Sequence, residues 1–214
     1  MDVVIFIGSA SDLEVVKDGL DLLKKFGVGF ALEVTSAHRS PERTIALIRK
    51  YEAEKARILA AIGRWLVAIE HVGSTAVPGL GAKPIIDITA AIRSLSDTPQ
   101  CVEPLRAIGY EYVPEFEADL PERRYFRKGP PEDHYHLHMV EQTSEFWARH
   151  LLFRDTLRAH PEVAREYERL KRELAARFGS DREGYTDAKT EFIESTIAKA
   201  RGDKGAAQVK GARG

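Results

Sequence analysis

The stretch that decides the fold is IEHVGSTAVPGLGAKPIIDI, residues 69–88. Its two ends belong to runs of aliphatic and β-branched residues, which predict strands over residues 65–72 and 85–92. The segment between them, residues 73–83, is rich in glycine and contains Pro78, a composition typical of a loop. The stretch therefore predicts two strands joined by a long irregular connection.

Downstream of this stretch, the residue patterns predict one helix and three strands, over residues 99–108, 110–113, 124–128 and 134–140. From residue 143 the pattern is helical to about residue 201, with breaks at residues 160–161 and 179–181. Residues 202–214 are rich in Gly, Ala and Lys and lack aromatic residues, which predicts a disordered tail. Residues 51–201 are therefore expected to form an α/β domain with C-terminal helices.

The first fifty residues predict a separate pattern of alternating strands and helices. The apolar run VVIFI, residues 3–7, predicts a buried strand, and apolar residues at helical spacing follow from Leu13. Residues 28–35 predict a second strand, and Pro41 stands near the start of a second helix. The helical pattern continues without a linker to Ile62, so the junction near residue 50 is expected to lie inside a helix.

Composition limits the classes of function. The 214 residues contain 32 Lys plus Arg and 33 Asp plus Glu, and this balance argues against a nucleic-acid partner or an acidic membrane surface. No run approaches the ~20 apolar residues that cross a bilayer. Cys101 is the single cysteine, which excludes an intrachain disulfide and a thiolate zinc cage. We expect a cytoplasmic protein without a membrane partner, and the sequence leaves a homo-oligomer open.

Two groups of polar residues in the first segment suit a phosphate. The loop GSASD, residues 8–12, lies between a predicted strand and helix, where small residues and backbone N–H groups can cradle an anion. His38 follows the second predicted strand and can transfer a proton near neutral pH. Arg39 beside it can hold a phosphate or a carboxylate. The alternative is structural, with Ser11 or Asp12 capping a helix and His38–Arg39 forming a polar turn.

These residues resemble the PurE family, the aminoimidazole ribonucleotide carboxylases and mutases of purine biosynthesis. The resemblance lies in VVIFIGSASD, residues 3–12, and KKFGVGFALEVTSAHRSPER, residues 24–43. It implies a partial flavodoxin-like βαβα segment over residues 1–50. It also implies roles for four residues: Ser9, Asp12 and Arg39 would bind the ribonucleotide, and His38 would be the acid–base residue. Nothing after residue 50 resembles the remainder of that family's domain, so the implied site is incomplete.

The second part of the chain resembles the GrpB family. The resemblance rests on residues 69–88 and on five further stretches, which are EKARI (54–58), RRYFRKG (123–129), HLHMVE (136–141), FWARHLLFRDTLRAHP (146–161) and YTDAKTEFI (185–193). It implies a nucleotidyltransferase-like fold over residues 51–201.

The same resemblance implies a site at the loop and the strand that follows it. In nucleotidyltransferases a Gly-Ser pair holds phosphate, here Gly73 and Ser74, and a strand carboxylate, here Asp87, binds a divalent metal such as Mg²⁺ or Mn²⁺. Lys83 would add positive charge. Thr89 stands where a second carboxylate is usual, so catalysis and binding without catalysis both stay open.

Two histidines add to this candidate site. His136 and His138 alternate along a predicted strand and should face the same side. His138 is the candidate second metal ligand or base, and Glu70 and Glu141 are further candidates. The alternative is a pair of histidines hydrogen-bonded in a polar groove.

Arg124 and Arg127 belong to the densest basic cluster of the chain. Guanidinium groups suit phosphate recognition, and both arginines are candidate substrate-binding residues. A solvated strand edge protected by charge explains the cluster equally well.

Three functions follow. The leading hypothesis is a GrpB-like protein that binds a nucleotide or another phosphorylated small molecule, with metal-dependent nucleotidyl or phosphoryl transfer as a further step. The alternatives are a non-catalytic nucleotide-binding domain and PurE-type carboxyaminoimidazole ribonucleotide chemistry.

Overall fold

The computed structural model describes residues 3–7, 13–26, 30–34, 41–129, 134–178 and 182–211. In chain order its strands and longer helices are β1 (Val3–Ile7), α1 (Leu13–Lys25), β2 (Phe30–Val34), α2 (Pro41–Ile62), β3 (Leu66–Val72), β4 (Ile85–Ile92), α3 (Thr98–Ala107), β5 (Glu111–Tyr112), β6 (Arg123–Lys128), β7 (His134–Glu141), α4 (Glu145–Ala159), α5 (Pro161–Phe178) and α6 (Arg182–Gly211). The strands predicted over residues 65–72, 85–92 and 134–140 agree with β3, β4 and β7 to within one residue at each end.

The main sheet has five strands in the order β3-β4-β7-β6-β5. Strands β4 and β7 are parallel, and the other neighbouring pairs are antiparallel. This mixed sheet, followed by the helices α4 to α6, is the α/β architecture with C-terminal helices that the sequence predicts. None of the described helices has both the length and the apolar character needed to cross a membrane.

The first segment forms a second, two-stranded sheet. Strands β1 and β2 are parallel and are connected through α1, as the strand–helix–strand pattern predicts. Helix α2 runs unbroken from Pro41 to Ile62, and residue 50, where the sequence predicts a junction, lies within it.

One face of the main sheet contributes to the hydrophobic core. Alternate residues of β4 and β7, including Ile86, Ile88, Leu137 and Met139, are buried in one cluster with residues of α2 and α3. Because side chains alternate along a strand, the residues between them point to the other face. That other face therefore presents Asp87, Thr89, His136 and His138, and it carries the candidate site.

The end of the chain differs from the prediction. Residues 202–214 were expected to be disordered, but α6 continues as a helix to Gly211. A helix that already exists extends without a new nucleation step, and alanine, lysine and glutamine are good helix formers. The low content of apolar residues therefore did not prevent helix formation here.

A buried ion pair connects α2 to the sheet. Lys128 Nζ lies 2.6 Å from Glu54 Oε1, and the two side chains are only 13% and 4% exposed. The same ammonium group lies 5.4 Å from the ring centres of Tyr110 and Tyr135. The more exposed Arg57 is a weaker second partner of Glu54, at 3.5 Å. Lys128 is thus the main positive charge that compensates the buried carboxylate.

Replacing Lys128 with methionine should destabilise the domain. The K128M variant leaves the Glu54 carboxylate buried without its main partner, so we expect the free energy of unfolding to fall by about 3 kcal/mol. Urea denaturation followed by circular dichroism measures this loss. The control is R106M, which removes a pair between exposed side chains, Arg106 and Glu103, and should change stability by less than about 0.5 kcal/mol. Equal effects of the two substitutions on stability would contradict the assignment of Lys128 as the main partner of the buried Glu54 carboxylate.

Candidate functional site

The register between β4 and β7 places Asp87 directly beside His136. His136 Nδ1 lies 3.1 Å from Asp87 Oδ1, and the two side chains are 33% and 28% exposed. A carboxylate at Nδ1 favours the tautomer in which Nδ1 donates, which leaves Nε2 as a proton acceptor. The pair can therefore orient an imidazole for proton transfer on this face of the sheet, which together with the adjoining loop is called the groove below.

The start of the loop lies against the same carboxylate. Gly73 has φ 72°, and a Cβ atom at this position would stand 2.4 Å from Asp87 Oδ2. A side chain is excluded both by the backbone conformation and by this contact. Glycine is thus required for the close approach of the Gly73–Ser74 backbone to Asp87.

Cationic side chains from α4 and α5 hold the loop. Lys171 Nζ donates to Ser74 Oγ at 3.0 Å and to the Gly81 carbonyl at 2.6 Å. The Arg158 guanidinium donates twice to the Ala76 carbonyl, at 2.9 and 2.8 Å. Burial lowers the pKa of Lys171 to about 8, because an ammonium group removed from water loses hydration.

Two further lysines add positive charge near Asp87. Burial lowers the pKa of Lys189 on α6, the Asp87 carboxylate acts in the opposite direction, and Lys83 lowers it further. Lys189 in turn contributes to the lowered pKa of Lys171. Lys83, predicted to add positive charge beside a phosphate, is exposed at the end of the loop. The three lysines thus concentrate positive charge around Ser74 and Asp87.

A buried chain of hydrogen bonds fixes the loop to β4. Thr75 Oγ1 donates to the Ile85 carbonyl at 2.9 Å, so His71 Nε2, at 3.0 Å from the same oxygen, acts as a donor. The ring of Tyr51 stacks on His71 at 4.6 Å. Burial, followed by the charges of nearby arginines, lowers the pKa of His71 to about 4, so the ring is neutral at physiological pH. His71 is therefore a structural residue of the loop.

A cavity of about 230 Å³ opens beside Gly73 and Ser74. Its apolar wall comes from α4, α5 and α6 and includes Phe153, Tyr167 and Ile193. The Phe153 and Tyr167 rings meet edge to face at 5.2 Å. Its polar lining comes from α4, in Arg149, His150 and Arg154. The helical spacing of the apolar residues predicts a packed core, and no sequence signal indicates that the helices leave a gap.

His138 lies one step further along the same face, opposite Thr89. Its ring is 5.3 Å from that of Tyr125 and 5.5 Å from that of Phe146. Burial holds the pKa of His138 well below its usual range, so the imidazole is neutral. His136 is the histidine at hydrogen-bond distance from Asp87. The predicted pairing of Asp87 with His138 is not found as a contact among the described residues. Within residues 41–129 and 134–178, and the shorter described stretches, no three His, Cys, Asp or Glu side chains cluster to hold a metal.

The other candidate ligands have partners within the protein. Glu70 pairs with Arg154 at 2.7 Å, and the same guanidinium donates to the His71 carbonyl at 2.9 Å. Glu141 Oε1 accepts from the Leu95 backbone N–H at 3.0 Å. These contacts direct both carboxylates into structural roles.

The two candidate arginines of β6 are also paired. Arg124 Nε lies 3.3 Å from Glu117 Oε2, and its Nη1 donates to the Pro121 carbonyl at 2.9 Å. Arg127 Nε lies 2.7 Å from Glu111 Oε2 on the neighbouring strand, and both of these side chains are exposed. Both arginines thus have carboxylate partners within the protein, and β6 lies between β7 and β5, not at an edge of the sheet. Their role in substrate binding stays a prediction.

The four residues assigned through the PurE resemblance are Ser9, Asp12, His38 and Arg39. They lie outside the described residues, so the structure places none of them relative to the groove.

Comparison with known proteins addresses both resemblances. The UPF0157 protein YqkA of Bacillus subtilis is 39% identical over 171 residues, which are 77% of this chain and 49% of that protein. This chain thus spans about half the length of that relative. A shorter match to the N5-carboxyaminoimidazole ribonucleotide mutase of Methanocaldococcus jannaschii is 31% identical over 86 residues, 40% of this chain and 50% of that protein.

Among solved structures, the conserved protein GrpB from Enterococcus faecalis matches with a TM-score of 0.65 and 33% identity. The match covers 72% of this chain and 92% of that chain. The family model described as GrpB protein matches residues 45–199, which contain the five-stranded sheet, the loop and the cavity. On this evidence the chain belongs to the GrpB family.

Proposed function

We propose that this chain binds a nucleotide, or a similar phosphorylated small molecule with a ring, between the Gly73–Ser74 loop and helices α4 to α6. The observation that carries the proposal is the position of Lys171, whose partly buried ammonium group contacts Ser74 Oγ at 3.0 Å. A cation held at a loop of small residues, two of which line a cavity, suits a phosphorylated ligand.

The phosphate end of the ligand would lie near the three lysines. Lys171 and Lys189 are partly desolvated, and burial lowers the pKa of both. An anion close to them would offset this cost, because opposite charges favour each other most where water is excluded. Asp87 repels a bare phosphate, so the carboxylate would face the ligand through a cation or through a polar group of the ligand.

The ring of the ligand would enter the cavity. Phe153 and Tyr167 present aromatic surfaces there, and Ser74 lines the same space. Planar bases stack well on such rings, while Arg149 and His150 supply polar groups on one side. The cavity therefore supports a ligand with both a phosphate and an aromatic part.

The Asp87–His136 pair favours a second function, which is group transfer from the bound nucleotide. His136 Nδ1 is 3.1 Å from Asp87, so Nε2 is available to accept a proton from an acceptor hydroxyl group. Asp87 would supply one oxygen ligand to a divalent metal, as the resemblance to nucleotidyltransferases implies. Binding without turnover remains the alternative, since Thr89 replaces a second carboxylate.

The first prediction concerns binding. Titration calorimetry with ATP, CTP, GTP and UTP, with and without Mg²⁺ or Mn²⁺, should detect nucleotide binding. The K171M variant should bind the preferred nucleotide about tenfold or more weakly, because it loses a charge-assisted contact worth about 1.5–3 kcal/mol. The control is K199M, which removes an exposed lysine of α6. No binding across the panel, or equal affinities of K171M and wild type, would reject the site.

A second prediction concerns pH. Above pH 7.5 the nucleotide phosphates are fully ionised, so the titration of Lys171, with its pKa of about 8, should dominate. Affinity should fall as the pH rises towards 9.5, by up to about tenfold per pH unit above this pKa. The same titrations on K171M should give a flatter profile, and K199M should keep the wild-type slope. A wild-type affinity that rises over this range would contradict a protonated lysine at the ligand.

A third prediction separates transfer from binding. Wild-type protein incubated with α-labelled nucleoside triphosphates, a divalent metal and a panel of hydroxyl acceptors should label an acceptor. Both D87N and H136Q should lower the rate by about a hundredfold or more, the range expected when an acid–base group is lost. Binding of nucleotides without labelling of any acceptor would identify a non-catalytic domain. Labelling that D87N leaves unchanged would exclude Asp87 from the chemistry.

A further inference from the structure

Arg123 differs from its neighbours on β6 because no carboxylate pairs with it in the described part of the chain. Its guanidinium carbon lies 5.2 Å from the ring centre of Tyr125 and 6.0 Å from those of Phe116 and Phe146. Its Nε atom is buried and has no hydrogen-bond partner among the described residues. The side chain is thus a cation held between aromatic rings with unused hydrogen-bonding capacity.

Two more polar atoms without partners belong to residues on the same face of the sheet. His138 Nδ1 and Thr89 Oγ1 are both buried, and neither has a partner among the described residues. The two residues are register partners on β7 and β4, and the His138 ring contacts those of Tyr125 and Phe146. Buried polar atoms are normally satisfied, so three unsatisfied atoms on one face of the sheet require an explanation.

Together with two aromatic rings they form a group that is called the recess below and consists of Arg123, His138, Thr89, Tyr125 and Phe146. Phe116 contacts Tyr125 edge to face and is 46% exposed, so this ring marks the solvent side of the group. The positive charge of Arg123 also contributes to the lowered pKa of His138. The recess therefore contains one fixed cation, one neutral imidazole and one hydroxyl group.

We propose that this recess binds the carboxylate group of a second small ligand, beside the proposed nucleotide site. A carboxylate is planar and acceptor-only, and it matches the fork of donors on a guanidinium group. One arginine balances its single charge, whereas a phosphate with two charges would remain half compensated in this partly buried place. The description of this ligand as a second one rests on the proposed nucleotide site, but carboxylate binding itself does not.

The aromatic rings indicate the rest of the ligand. Tyr125 and Phe116 meet edge to face at 5.7 Å, and Phe116 is largely exposed. An acid with a flat or apolar body can contact these rings while its carboxylate contacts Arg123. Benzoate is therefore a suitable probe, and acetate tests the carboxylate alone.

The test uses the full chain and two measurements. Spectra of the arginine Nε–H groups are recorded during titration with sodium benzoate, sodium acetate or sodium phosphate, and calorimetry gives the affinities. We expect benzoate to shift the Arg123 signal with saturation, acetate to bind more weakly, and phosphate to bind least. The R123M variant should weaken benzoate binding at least tenfold, and the control R106M, at an exposed arginine of α3, should not.

A lysine variant keeps the test valid if R123M does not fold. R123K retains the charge but loses the fork of donors, so its benzoate affinity should lie between those of wild type and R123M. Stronger binding of phosphate than of benzoate at Arg123 would overturn the carboxylate assignment. Equal benzoate affinities of wild type and R123M would overturn the recess as a site.

The two sites can fail separately. K171M should bind benzoate like the wild type, because Lys171 contacts the loop and is not part of the recess. Loss of benzoate binding in K171M would contradict a separate recess. Absence of nucleotide binding in a protein that still binds benzoate would reject the proposed function and leave the carboxylate site standing.

Discussion

The parallel register between β4 and β7 is the constraint on which the groove depends. It sets Asp87 opposite His136 and Thr89 opposite His138, all on the face away from the main core. A shift of one residue would turn Asp87 towards Ile58 and Ile62 and place Ile88 in the groove. Because the other face is tightly packed with aliphatic residues, the hydrophobic effect fixes this register, and the polar face follows from it.

Electrostatic contacts then attach the helices to the loop. Arg154 joins α4 to β3, Arg158 joins α4 to the loop, and Lys171 joins α5 to both ends of the loop. All three side chains donate to backbone carbonyls of the segment between residues 71 and 81. The loop is irregular, and its carbonyl groups would otherwise need water or other donors. The cavity lies where these helices meet the start of the loop.

Much of the fold could be predicted from the sequence because its signals are local. Alternating and continuous apolar runs indicate β3, β4 and β7, and uninterrupted helical periodicity across residue 50 indicates the continuous helix α2. The loop at Gly73–Ser74 could also be predicted, because the structure requires a glycine there and glycines are a visible sequence signal for a loop. The requirement comes from the positive φ of Gly73 and from its contact with Asp87. The helical end of α6 was missed because composition reports the tendency to form a core, and a helix can continue without one.

The site was harder to predict because its contacts join distant parts of the chain. The alternation of His136 and His138 placed both on one face, but only the register of a parallel pair decides which of them meets Asp87. Lys171 and Arg123 carry the two proposals, and neither stood out in the sequence. A lysine on an amphipathic helix looks the same whether it faces water or a loop. An arginine in a basic cluster shows only in three dimensions that its neighbours have carboxylate partners.

The unbroken helix α2 has a geometric consequence for the evolution of this chain. Its second half is fixed to the sheet through Tyr51, Ile58 and Ile62, while its first half continues from the βαβ unit. Along a helix, each inserted or deleted residue rotates what precedes it by ~100° and displaces it by ~1.5 Å. A connection through a continuous helix therefore couples the distance between the two connected parts to their relative rotation. A flexible linker tolerates insertions of different lengths. Through this helix, the part of the chain that precedes it would regain its original orientation only after an insertion or deletion of about seven residues, about two turns.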